Sequence, residues 1–188
     1  MIPGSSPTKG RLLVATPPLD DPNFDRTVVY VVEHHDDGAL GLVLNRPSDE
    51  ELEEPLDRWV EVQSRPSVIF TGGPVEVTAL IALARTDGEV DAEEHLAPVN
   101  GEIASADLAV DPALVRGSIQ ALRVFRGYSG WGPGQLEGEI HAGAWLVLDP
   151  DPVDIFTDHP RDLWRTVLRR QPGRLAWLAD APDDLAAN

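Results

Sequence analysis

The chain contains no cysteine. Disulfides, thiolate nucleophiles and cysteine-based zinc or iron–sulfur sites are therefore excluded. It also has no apolar run near the ~18 residues that a membrane-spanning helix needs. Residues 1–9 are polar and rich in Pro and Ser, without the apolar core of a signal peptide. They read as a flexible tail ahead of a single domain over residues 10–188, and the expected location is cytoplasmic. Positive charge is scarce: 15 Lys and Arg stand against 32 Asp and Glu, for a formal net charge of −17. The average field of such a surface repels a phosphate backbone, so direct nucleic-acid binding is disfavoured unless a local basic patch overcomes it.

The rest of the composition, 42% hydrophobic and 25% charged over 188 residues, is that of one globular domain. Residues 11–15, 27–33 and 39–44 read as strands, the last two joined as a hairpin through Asp37-Gly38. Residues 68–71, 79–85, 122–125 and 144–148 read as further strands. Residues 87–95 are acidic and read as a surface loop. Helix signals open at Ser48, which with Glu51 fits a capping box, and at Asp111-Pro112 within residues 107–117. Another helix is expected between Pro133 at its first position and Gly143 just past its end, with Leu136 and Ile140 on one face. Residues 158–170 carry an apolar stripe of Leu163, Trp164, Val167 and Leu168. Strands and helices mix without strict alternation, which suggests an α+β or mixed-sheet α/β fold.

The densest chemical signal is the stretch Gly127-Tyr128-Ser129-Gly130-Trp131-Gly132-Pro133-Gly134, read as a strand-to-helix turn whose backbone N–H groups could meet a small ligand or anion. Gly130 and Gly132 start a dinucleotide fingerprint, but Gln135 breaks it; Pro133 and Gly134 replace the Lys and hydroxyl of a P-loop. Gly127-Tyr128-Ser129-Gly130-Trp131 resembles a nucleophile elbow but ends in Trp, so a serine hydrolase around Ser129 is the weakest reading. Asn23, Arg26, Asn45 and Arg46 flank the base of the hairpin. They either fix loops or line a pocket with Gly127, Tyr128, Ser129, Gly130 and Trp131. Glu33-His34-His35-Asp36-Asp37 holds metal-ligand types, but successive strand residues diverge, and no metal or cofactor is expected. Arg161, Arg165 and Arg169, one turn apart, form the only candidate nucleic-acid surface.

The chain resembles the YqgE/AlgH family. The resemblance rests on Gly10-Arg11-Leu12-Leu13-Val14-Ala15, Asp21-Pro22-Asn23-Phe24, Arg26-Thr27-Val28-Val29-Tyr30 and Glu33-His34. Gly38-Ala39-Leu40-Gly41-Leu42-Val43-Leu44-Asn45-Arg46-Pro47, Gly72-Gly73-Pro74-Val75, the 127–137 stretch and Leu163-Trp164 complete it. It implies an α+β fold: a single compact domain with a mixed, strongly bent, partly barrel-like sheet flanked by helices. The family is cytoplasmic and without an established biochemical activity; some members carry the label of transcriptional regulator. The resulting expectation is a non-enzymatic regulatory or binding protein acting through a protein partner or a small ligand. The alternative is a nucleic-acid-binding regulator that uses the arginine patch.

Overall fold

The most apolar segments run through the middle of the molecule. β1 (Leu12–Ala15) and β2 (Val28–His35) are buried on both faces. Leu12, Val14, Val28 and Tyr30 join one core cluster; Leu13, Val29 and Val31 join another. A strand covered on both sides has no solvent face to keep polar, so these runs do not alternate. β2 turns into β3 (Gly38–Val43). Gly38 has φ +139, and a Cβ there would fall 2.3 Å from the Trp131 carbonyl oxygen, so only glycine fits.

The computed structural model describes residues 8–17, 21–88 and 95–181. The remaining strands are β4 (Phe70–Thr71), β5 (Val75–Thr86), β6 (Leu96–Asn100), β7 (Ile103–Ala106), β8 (Ile119–Trp131) and β9 (Trp145–Leu148). They form a 9-stranded sheet in the order β6-β7-β5-β8-β3-β2-β1-β9, with β4 off this path against β8. The β4–β8 ladder is parallel and the others antiparallel. The sheet curls until its β6 edge returns to the start of the chain, where the Asn100 amide donates to the Gly10 carbonyl at 3.2 Å.

Helices flank the two faces. α1 (Gln135–His141) caps one face with Leu136. α2 (Pro152–Ile155) and α3 (Leu163–Arg169) cover the other. Leu163, Trp164, Val167 and Leu168 are all buried, as their spacing predicts, and the Trp164 indole donates to the Ala15 carbonyl at 2.9 Å. A third cluster lies around Trp59, Leu122 and Val124.

Several expectations need correction. No helix starts at Ser48; its hydroxyl accepts from the Glu50 N–H and donates to the Ile69 carbonyl, a local turn that competes with helix. Residues 107–117 hold only a 3₁₀ turn, Pro112–Leu114, although Asp111 does cap it. The helix read over 158–170 is α-helical only from Leu163 to Arg169 and opens with a 3₁₀ turn at Pro160–Asp162. Pro133 precedes α1, whose N-cap is Gly134, while Gly143, at φ +80, follows its C-cap as expected. The first nine residues are not all tail: Thr8 is buried, and its hydroxyl pairs with His34 Nδ1. Most of the loop read over 87–95 lies outside the described residues.

Candidate functional site

The glycine-rich stretch is a strand, not a turn. β8 continues through Trp131, and the turn into α1 falls at residues 132–134. Ser129 is fully buried in β8, opposite Gly41, and its hydroxyl donates to the Gly72 carbonyl at 3.2 Å. Gly127, at φ +68, faces a break in register where β5 residues 76–79 bulge out of the β5–β8 ladder. The break lies beside the Gly72-Gly73 turn. A Cβ on Gly127 would sit 2.6 Å from the Gly73 carbonyl oxygen, and one on Gly73 would sit 2.2 Å from the Tyr128 carbonyl carbon. The space beside these glycines is filled by the chain's own backbone.

The residues at the hairpin base are brought together, and they bolt a loop down. The Asn45 side chain accepts from the Val28 N–H at 3.0 Å and donates to the Arg26 carbonyl at 2.8 Å. Arg46 donates to the Pro22 carbonyl at 3.2 Å; burial lowers its pKa, opposed by Asp25 and Asp21. Arg26 donates to the Ala181 carbonyl and lies 5.1 Å from the Trp164 ring centroid. Asn23 is exposed. Phe24 carries this loop onto Trp131, stacked at 6.2 Å, and edge-on to Trp145 at 5.4 Å. Beneath them lies a residue that the sequence reading missed. Glu139 Oε2 accepts from both the Trp131 and Trp145 indoles, at 2.9 and 2.8 Å. Its only signal was its place one turn after Gln135 in the expected helix.

The arginine patch is largely engaged within the fold. Arg165 donates to the Ala179 carbonyl and lies over Trp164; Arg169 pairs with Asp180 at 3.4 Å. The adjacent Arg170 forks onto the buried Asp154, and this hydrogen bond raises its pKa. Arg161 is exposed beside a cleft of about 430 Å³ between Pro66 and residues 158–162. His34 and His35 diverge as strand geometry requires: His34 is buried, with Nε2 2.9 Å from Glu137 Oε1, and His35 is exposed. Among the described residues no group of three or more His, Asp or Glu is placed to hold a metal ion. Arg123 is 1% exposed and clamps two loops, donating to the Thr157 carbonyl at 2.9 Å and the Arg65 carbonyl at 2.6 Å. Burial lowers its pKa to about 10, which leaves it cationic at neutral pH.

Open space lies elsewhere. A cleft of about 600 Å³ is lined by residues 49–56 with Ile69, Leu80 and Arg126. Another, of about 430 Å³, is lined by Leu56, residues 80–82 and residues 105–109. Leu56 and Leu80 belong to both, so the two form one groove along β5. Its floor is apolar, and its rim carries the exposed Glu51, Glu53 and Glu54. Arg126, the cation in the larger cleft, is matched by Glu50 at 2.8 Å. None of the nine residues expected to bind a ligand lines either cleft. The acidic run is visible in the sequence, but its capping-box pattern at Ser48 points to a helix rather than a groove rim.

Fold and groove together define a single-domain α+β protein with a half-barrel sheet and an acid-rimmed surface channel. Comparison with known proteins narrows this class. The chain belongs to the AlgH-like family, whose model matches residues 12–176. It is 46% identical over 184 residues to a UPF0301 protein of Streptomyces coelicolor, covering 95% of this chain and 94% of that one. A UPF0301 protein of Mycobacterium tuberculosis is 42% identical over 181 residues, covering 95% of this chain and 90% of that one. The crystal structure of a Corynebacterium diphtheriae protein superposes with a TM-score of 0.87 at 29% identity, over 95% of this chain and 94% of that one. The solution structure of AlgH from Pseudomonas aeruginosa gives 0.68 at 31% identity, over 97% and 98%.

Proposed function

We propose that this protein is a non-enzymatic, cytoplasmic regulatory protein that works by binding a protein partner in the groove along β5. The observation that carries this reading is that two clefts merge through Leu56 and Leu80 into one elongated channel. An elongated channel suits a stretch of polypeptide better than a compact metabolite, which prefers an enclosed, mostly apolar pocket. The buried Ser129, bonded to a backbone carbonyl, supports the absence of hydrolase chemistry. The net charge of −17 and the internal use of Arg165 and Arg169 weigh against direct nucleic-acid binding. The test is a photo-crosslinking amino acid placed in the native host at the exposed groove positions Glu53 and Ala109, with the exposed Trp177 as control. A discrete adduct to one identified protein at both groove positions, and not at Trp177, is expected. No adduct at the groove positions, or the same adducts at Trp177, overturns the reading.

A further inference from the structure

We infer that the groove receives its partner as an extended, basic segment that pairs with the open edge of β5. This rests on the reading of the groove as a docking site. β8 pairs with β5 at Val75 and again from Leu80 to Thr86, but β7 pairs with it only from Ala82 to Arg85. Among the described residues, Leu80 and Ile81 therefore have a neighbouring strand on one side only, next to the bulge at residues 76–79. The chain after β7 is drawn away: the Asp107 N–H donates to the His95 carbonyl at 3.1 Å, and the Leu108 carbonyl accepts from the Trp59 indole at 3.2 Å. The gap between residues 80–82 and 105–109 is the smaller cleft.

An open strand edge turns alternate N–H and C=O groups outward, a template for an added strand. Side chains of an added strand also alternate, so one face would meet the apolar floor at Leu56 and Leu80 and the other would stay in solvent. Charge decides which segment fits. With Arg126 matched by Glu50, the exposed Glu51, Glu53 and Glu54 leave the rim of the larger cleft negative, while at the smaller one the exposed Asp107 is accompanied by Arg58, which donates to the Ala109 carbonyl at 3.3 Å. Lys and Arg on the incoming strand complement that rim. A second copy of this chain carries the same charge of −17 and is repelled.

The experiment titrates the full chain with fluorescent peptides of about ten residues, enough to cover a typical strand. One alternates Lys and Val. A second has Glu for Lys, a third is N-methylated at alternate residues, and a fourth is a basic helix of equal charge. The alternating Lys/Val peptide is expected to bind and to weaken about tenfold or more between low and high salt. It should slow amide exchange at Leu80, whose N–H faces the open edge, and not at Ile81, which faces β8. The other three peptides, and the variant Glu51→Lys/Glu53→Lys/Glu54→Lys, should bind about tenfold or more weakly, because each removes charge or backbone pairing. The three positions are exposed, so an unchanged melting temperature shows that the variant folds. Failure of the Lys/Val peptide to bind overturns the inference. So does equal binding by the Glu or N-methylated peptide, an unaffected variant, or unchanged exchange at Leu80. If the helix binds best while Glu53 and Ala109 still crosslink a host protein, the docking site stands and the extended basic partner falls.

Discussion

Gly127 and Gly130 lie three positions apart in the same strand and differ in kind. Gly130 has ordinary extended geometry, and a Cβ there would make a normal contact, 3.6 Å from the Tyr128 ring. Gly127 combines φ +68 with a backbone oxygen 2.6 Å from the would-be Cβ. Gly127→Ala is expected to cost at least about 1–3 kcal/mol, and Gly130→Ala less than about 1 kcal/mol. Thermal melts of the two variants check this. Tyr30 offers a second contrast. Its hydroxyl is buried with no partner among the described residues, and burial pushes its pKa above the ordinary 10.0. A phenol that stays protonated longer in the folded chain contributes stability that is complete below pH 10 and lost as pH rises beyond it. Arg123, lowered to about 10 from 12.5, acts in the opposite sense over that window, so the wild type alone blends two slopes. The difference between wild type and Tyr30→Phe isolates the phenol. The variant should be as stable at neutral pH, or more stable by up to about 1 kcal/mol, and should lose less on alkalinisation. Urea denaturation at neutral and alkaline pH measures both.

Glu139 ties α1 to β8 and β9 through one carboxylate oxygen. Glu139→Ala leaves two largely buried indole N–H groups without their acceptor and is expected to cost about 2–4 kcal/mol. Glu139→Gln keeps an acceptor oxygen and should cost clearly less. Chemical denaturation gives the two values, and a tryptophan emission shift should accompany the Ala variant. This element also shows what could be read from sequence. Its end at Gly143 and its buried Leu136 followed from local rules, because capping and amphipathic spacing are local properties. Its function as a clamp did not, since Trp131 and Trp145 reach Glu139 from β8 and β9. The same boundary runs through the candidate site. The hairpin β2–β3 was legible in its β-branched run and the Asp37-Gly38 turn, and the stripe on α3 in its periodicity. β6 and β7 were not: β6 carries Pro98, and both are short strands fixed by pairing rather than propensity. The groove was invisible because it is a gap between segments far apart in sequence. The glycines of 127–134 misled because close approach of two backbones and anion binding ask for the same residue.

At the scale of the whole molecule, a net charge of −17 dominates the behaviour in solution. Self-repulsion is screened by salt, so the melting temperature is expected to rise by a few degrees between ~0.01 M and ~0.5 M ionic strength. Calorimetry at fixed pH checks it; a flat profile would mean that the carboxylates are already locally compensated. Duplex DNA of random or host promoter sequence should bind weakly or not at all at physiological salt. Fluorescence anisotropy decides this: sub-micromolar binding abolished by Arg161→Glu/Arg165→Glu/Arg169→Glu would restore the nucleic-acid reading. The sheet order has a consequence of another kind, in time. β1 pairs with β9, and the Ala15 carbonyl waits for the Trp164 indole, so β1 is completed by segments made much later in synthesis. Between synthesis of Leu12 and Leu148 a ribosome needs roughly 7–27 s at ~5–20 residues per second. Throughout that interval β1 offers an unpaired, wholly apolar edge on the nascent chain. The growing polypeptide is thus a natural client for chaperones that shelter exposed strands until translation has passed β9.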